Sequence, residues 1–263
     1  MDCRRVMGIL EELSPTCYAE KWDNVGLLVG RKSKEVNTIF VALDATDDVI
    51  KAAIECEADM LITHHPLLFS PIKSVRADDF IGRRILTLAK HDISYYAMHT
   101  NFDVMGMADA AADEIGLVER EVLDVTYEDE IGTEGIGRIG RLSGDFTLVE
   151  LCELVKERFN LDSVKVYGEF DDSDRLMDVC AIVPGSGKSM IDVAIEKGAD
   201  VLITGDIDHH AGIDALARGL CIIDASHHGL EKIFVPYMED FLRDELPEVK
   251  VYTSELTAPF RVI

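Results

Sequence analysis

Apolar residues at Val6, Ile9, Leu10 and Leu13 recur at helical spacing, and Pro15 closes the run. The chain therefore opens on an amphipathic helix. A polar, glycine-bearing turn, Trp22-Asp23-Asn24-Val25-Gly26-Leu27, then leads into a short apolar run at 27–29. The continuous apolar stretch 38–43 reads as a buried strand, 46–56 as a helix and 60–63 as a second strand. A helical pattern at 81–90 precedes another strand at 93–98. Later, Thr147 with Glu150 three residues on marks a capped helix over 148–159. Residues 164–183 suggest strands around the acidic turn Asp171-Asp172-Ser173-Asp174. Leu230, Ile233, Phe234, Tyr237, Met238, Phe241 and Leu242 follow helical spacing, with Pro236 either kinking that helix or starting a second one. Strands alternating with helices predict parallel sheets covered by helices.

The second half repeats the first. Ile54-Glu55-Cys56-Glu57-Ala58-Asp59-Met60-Leu61-Ile62-Thr63 aligns without a gap on Ile195-Glu196-Lys197-Gly198-Ala199-Asp200-Val201-Leu202-Ile203-Thr204, with Ile, Glu, Ala, Asp, Leu, Ile and Thr in common. Ile50 and Ala53 extend the match to Ile191 and Ala194. The expected fold is α/β: two similar three-layer α/β domains from a duplicated βαβ-type module, with a site in the cleft between them. The acidic, Gly-rich stretch 127–137 is the natural junction. It gives a first domain at 1–127 and a second at 128–263, with C-terminal elements free to pack on the first.

Composition narrows the function classes. At 263 residues the chain can bury a substantial core, and 48% of it is hydrophobic. No apolar run is long enough to span a bilayer. Met1 to Arg5 lead into an amphipathic stretch rather than a signal-peptide core, so a cytoplasmic protein is expected. The formal net charge of -24 repels phosphate backbones and anionic lipid and attracts divalent cations, which disfavours nucleic acid and membrane as partners. The six cysteines form no C-x-x-C pair and read as buried free thiols in a reducing compartment.

Three segments carry candidate chemistry, each just past a strand, where ligands gather in open α/β sheets. In Thr63-His64-His65-Pro66 the neighbouring imidazoles point in different directions and can serve two ions, or one ion and one substrate; a strand-capping surface pair is the alternative. His99-Thr100-Asn101-Phe102-Asp103 adds a carboxylate, read as a hard oxygen ligand or as a helix cap. His227-His228-Gly229-Leu230-Glu231 sets His227 and Glu231 one turn apart on a helix, a spacing for two metal ligands or for a dipole-compensating Glu. Together they supply three imidazoles and two carboxylates, enough for two ions with open positions. In the second half, Thr204-Gly205-Asp206 takes the place of Thr63-His64-His65. His209 and His210, with His99, are candidates for proton transfer or substrate contact. Gly185-Ser186-Gly187-Lys188-Ser189 looks like the end of a P-loop, but position 182 is Ile where a Gly is required, so a tight turn is the better reading.

These motifs, from Trp22-Asp23-Asn24-Val25-Gly26-Leu27 to His227 and Glu231, with Pro259-Phe260 near the end, make the chain resemble the Nif-three-like family, the GTP cyclohydrolase 1 type 2 homologs. The resemblance implies a dinuclear metal site at His64, His65, Asp103, His227 and Glu231, two similar α/β domains and a toroidal homohexamer. It implies two divalent ions per subunit, with Zn, Fe, Ni or Mn all suited to the donors. It implies a metal-dependent hydrolase acting on a small molecule, a nucleotide among the candidates. A non-catalytic metal carrier, insertion factor or regulatory protein is the alternative. Asp206 stands where many relatives have Glu, and the chain is too short for the inserted domain that many relatives carry.

Overall fold

The computed structural model describes residues 1–128, 130, 132–169 and 175–261. The acidic turn 171–174 lies outside them. In chain order the first elements are α1 (Cys3–Leu13), β1 (Gly26–Val29), β2 (Thr38–Ala42), α2 (Asp47–Glu55), β3 (Met60–Thr63), α3 (Phe80–Lys90), β4 (Ser94–Ala97) and α4 (Thr100–Phe102). A π-helical turn, Asp103–Met107, is followed by α5 (Ala108–Glu114), β5 (Leu117–Glu128), β6 (Thr133–Leu142), α6 (Leu148–Arg158), β7 (Lys165–Tyr167) and β8 (Val179–Ser186). Then come α7 (Ile191–Glu196), β9 (Val201–Gly205), α8 (His209–Ala217), β10 (Cys221–Asp224), α9 (His227–Glu231), α10 (Phe234–Glu245) and β11 (Lys250–Thr253).

The chain forms two compact units. The first comprises Met1–Phe102 and Phe234–Thr257; the second comprises Asp103–Ile233 and the last residues from Ala258. The divisions thus fall at 102/103, 233/234 and 257/258, not at 127/128. The stretch expected to be a junction instead joins β5 to β6, two long antiparallel strands paired from Leu117↔Leu142 to Glu128↔Thr133. Its glycines fit the pairing: a Cβ at Gly135 would collide with the Asp124 carbonyl. Glycine and acidic composition signals a turn equally well inside a hairpin and between domains.

In the first unit the sheet order is β1-β4-β3-β2-β11, parallel except for β1 at the edge. Both faces are buried, as a parallel sheet requires. Phe40, Ala42, Leu61, Tyr95 and Ala97 join Ile50, Ala53 and Leu88 of the covering helices. On alternate positions Ile39, Val41, Met60, Ile62 and Tyr96 are also fully buried, and α10 packs on β2 and β11. The second unit's sheet, β5-β6-β8-β9-β10-β7, is parallel only at β8-β9-β10. The strands β5, β6 and β7 add antiparallel partners, so the expectation of parallel sheets throughout is corrected there. Ile182, Ile203 and Ile223 face Leu151, Val155 and Phe159, while Ala181, Leu202 and Ile222 face Ile191, Ala194 and Ala215. Each unit is therefore a three-layer α/β structure.

The internal repeat has a structural reason. Asp59 Oδ2 accepts hydrogen bonds from the backbone N–H groups of Asn37 and Thr38 at the start of β2, at 2.8 and 3.1 Å. Asp200 Oδ2 does the same for Asp178 and Val179 at the start of β8, at 3.2 and 3.0 Å. The N–H of Ala58 reaches the Ala53 carbonyl, and that of Ala199 reaches Ala194, both at 2.9 Å. The matched residues close a helix and fasten the start of the strand that precedes it in the same way in both halves.

The helix that periodicity carries through residue 242 is two helices. α9 ends at Glu231, and Pro236 lies in the first turn of α10, where a missing N–H costs no helical hydrogen bond. Among the cysteines Cys3, Cys152, Cys180 and Cys221 are buried free thiols, whereas Cys17 is exposed. No helix of the described residues is long and apolar enough to cross a membrane.

Candidate metal centre

In the first unit three histidines leave the carboxyl ends of neighbouring strands. Fully buried His64 and half-buried His65 follow β3, and His99 follows β4. Each offers a ring nitrogen within 4.8 Å of the others. The ring centroids are 4.9 Å apart for His64 and His65, 5.2 Å for His64 and His99, and 5.7 Å for His65 and His99.

The loop that carries His64 and His65 is fastened from below. Thr63 Oγ1 donates to the His65 carbonyl at 2.8 Å, the Tyr95 hydroxyl donates to the same carbonyl at 2.9 Å, and Leu67 N–H donates to Tyr95 Oη at 2.8 Å. Burial pushes the Tyr95 phenol up to about 12 against the lowering effect of its Thr63 and Leu67 hydrogen bonds, so it stays a neutral donor.

An oxygen atom engages Nδ1 of each ring. His64 Nδ1 lies 2.8 Å from the Met98 carbonyl, His65 Nδ1 is 2.8 Å from Asp44 Oδ1, and His99 Nδ1 is 2.9 Å from Asp23 Oδ1. Asp23 is fully buried at its side chain. Burial by itself would raise its pKa, but hydrogen bonds from His99 and Thr100 outweigh that and hold the carboxyl down to about 2. An ionised Asp23 fixes the proton of His99 on Nδ1 and leaves Nε2 as the ring's acceptor.

In the second unit His227 and Glu231 lie one turn apart on α9, as the spacing predicts. His227 Nε2 is 2.9 Å from Glu231 Oε2, and its Nδ1 is 2.8 Å from Asp206 Oδ2. With Nδ1–H donated to Asp206, a nitrogen lone pair and a carboxylate oxygen converge, an arrangement that a positive charge resolves, either a proton on Nε2 or a metal ion. Metal bonds of about 2.0–2.2 Å to His and carboxylate match that span. The N-cap of α9 is Ser226, whose hydroxyl accepts from Gly229 N–H at 3.0 Å.

Asp103 opens the π-helical turn, a local irregularity frequent at functional sites. Arg138 braces that turn: its Nη2 donates to the Val104 carbonyl at 3.2 Å and pairs with Asp109 at 2.8 Å. The neighbouring Asn101 is not a cap; it is buried, and its Nδ2 donates to the Ser14 carbonyl at 2.9 Å.

The P-loop-like segment serves this corner of the second unit. Gly185 has φ +79°, and a Cβ there would strike Glu231 Oε1. A Cβ at Gly187 would strike Thr204 Oγ1, and one at Gly205 would strike the His227 backbone nitrogen. The glycines clear space for Glu231 and α9 rather than cradling a phosphate. Lys188 is paired with Asp208 at 2.6 Å and holds that carboxyl down to about 2.

His209 and His210 are exposed on the first turn of α8, with rings 5.3 Å apart. Among the described residues they join no three-donor group. Nothing in the sequence marks Asp44 and Asp23 as partners of these rings, because a carboxylate 21 or 76 positions from its histidine gives no local signal. Asp206, left without a role by sequence, is the Nδ1 partner of His227.

The model of the Duf34/NIF3 (NGG1p interacting factor 3) family matches residues 1–259. The chain belongs to this family. A GTP cyclohydrolase 1 type 2 homolog of Clostridium acetobutylicum is 35% identical to this Duf34/NIF3 chain over 253 residues, covering 95% of it and 93% of the relative. The crystal structure of a Bacillus cereus protein related to NIF3 superposes with a TM-score of 0.89 at 25% identity, covering 100% of this chain and 99% of that one. Reduced HcgD from Methanocaldococcus jannaschii superposes at 0.83 with 30% identity, covering 96% and 97%. The α/β fold described above is thus shared with these two solved structures.

Proposed function

We propose that this Duf34/NIF3 protein takes up two divalent ions on His64, His65, Asp103, His227 and Glu231 and hydrolyses a small molecule there. One observation carries the reading. Four histidines have Nδ1 engaged by an oxygen, from Met98, Asp44, Asp23 and Asp206 respectively, the arrangement that orients imidazoles as Nε2 ligands. The donor set of imidazoles and carboxylates suits zinc, iron, nickel or manganese.

Bound there, a divalent ion supplies Lewis acidity and activates water at neutral pH. The protein's own groups do the rest. Asp23 orients His99 beside His64 and His65, where its imidazole can carry a proton to or from the reacting group. Asp44 and Asp206 fix the tautomers of His65 and His227. The relatives' name, GTP cyclohydrolase 1 type 2 homolog, makes purine nucleotide ring opening the first reaction to assay. A homohexamer, six times the 29.2 kDa chain mass, is part of the proposal and is checked by light scattering.

Metal analysis of untagged protein, with hydrolysis assays on nucleotide, phosphoester and amide panels, tests the reading. Wild type is expected to hold close to two ions per chain, and His64→Ala with Glu231→Ala to hold fewer than one and lose turnover. Full metal content without turnover of any substrate identifies a carrier or insertion protein instead. Hydrolysis that survives the double substitution overturns the site.

A further inference from the structure

Trp22, the chain's single tryptophan, is 58% exposed, and Phe69 beside it is 55% exposed. Their ring centroids are 5.6 Å apart with the planes inclined at 49°. His99 completes a triangle, 6.0 Å from Trp22 and 6.2 Å from Phe69, edge-on to both. Through His99 the two aromatics adjoin His64 and His65.

The loops that present these rings are tied down. Asp23, next to Trp22, is locked by His99 and by Thr100, whose N–H and Oγ1 donate to its Oδ2 at 3.0 and 2.5 Å. Glu20 N–H donates to Thr100 Oγ1 at 2.8 Å. Asn24 Nδ2 donates to the carbonyl of Leu68, the residue before Phe69, at 2.6 Å, so the two loops are joined to each other. The local structure thus holds two large aromatic rings out in water when burying either would contribute about 1.5–3 kcal/mol.

The form of the patch selects its occupant. Two inclined rings offer π-faces and edges to a flat ring, and the offset-stacked and edge-to-face contacts it can make there add to what its buried area alone would give. The polar imidazole of His99 lies at the patch's edge, which suits a ring bearing heteroatoms. The net charge of -24 opposes phosphate as the handle, so the ring itself must provide the binding energy. We propose that Trp22 and Phe69 form a stacking platform for a planar heteroaromatic ring of nucleobase type, set beside the His64–His65–His99 cluster. This deepens the purine-nucleotide reading by assigning the residues that would hold the base, and it rests on that reading only for what happens to the ring after it binds.

Because Trp22 is the sole tryptophan, its emission reports the platform directly. The full-length protein is titrated with guanosine, which lacks phosphate, in EDTA buffer so that ring binding is read apart from metal. Ribose is the control. The expected result is saturable quenching by guanosine, none by ribose, and a dissociation constant raised about 5- to 100-fold in Phe69→Leu, the range that stacking on one aromatic side chain gives. No saturable quenching, equal quenching by ribose, or a Phe69→Leu variant indistinguishable from wild type overturns the proposal. So does blue-shifted emission that moves red on dilution, which would make a second copy the occupant. Failure of the metal reading shows separately, as wild-type protein that takes up no ion in the absence of chelator.

Discussion

Asp206 sits at φ +58°, a left-handed conformation that Asn tolerates as well as Asp. Asp206→Asn therefore keeps the backbone and removes only the charge that orients His227. Metal affinity is expected to fall about 10- to 100-fold while thermal stability stays near wild type, because the Asp206 side chain is half exposed; calorimetric metal titration and a melt check both. Gly185→Ala reaches the same corner by another route. It places a side chain at φ +79° and against Glu231 Oε1, so urea denaturation should show a loss of more than about 1 kcal/mol, with metal uptake reduced alongside. At this scale the candidate ligands were legible because His64-His65 and His227 with Glu231 announce themselves by local spacing. Their supporting oxygens were not. Asp44 and Asp23 are brought in by the ends of other strands and loops, and the Met98 carbonyl has no side-chain identity to read.

Elements with one clear period were legible almost to the residue. β3 was expected at 60–63 and found there, and the Thr147–Glu150 capping box is formed in full. What escaped was β5. Along Leu117–Glu128 only Leu117 and Leu123 are buried, so an edge strand wet on most positions carries little alternation. The same hairpin holds a buried cation. The Arg138 side chain is 6% exposed and donates to the carbonyls of Gly135, Gly137 and Val104 as well as to Asp109. Arg138→Met keeps much of the volume and strands those acceptors. Removing one partner of a buried pair costs about 3–5 kcal/mol, and half-exposed Asp109 places this case at the lower end. Denaturant unfolding of the full chain measures the loss. Since Arg138 also braces the turn that begins at Asp103, metal affinity should drop with it; an unchanged affinity would separate the turn from the site.

For the whole molecule, a formal charge of -24 on 263 residues gives every cation two ways to stabilise the fold, and they differ in form. Screening relieves self-repulsion gradually, following a Debye length that is about 10 Å at 0.1 M salt. Site binding follows the logarithm of ligand concentration over its dissociation constant and reaches about 4.1 kcal/mol at a thousandfold excess. EDTA-treated protein is therefore melted against manganese or zinc at fixed ionic strength. The expected midpoint climbs at micromolar metal, where the change in ionic strength is negligible, whereas sodium chloride acts only at tens of millimolar. His64→Ala keeps its full response to sodium chloride, because one imidazole barely alters the net charge, and loses most of the micromolar response. If wild type and His64→Ala climb together at micromolar metal, the acidic surface alone accounts for the cation affinity, and the ordered histidines serve some other chemistry.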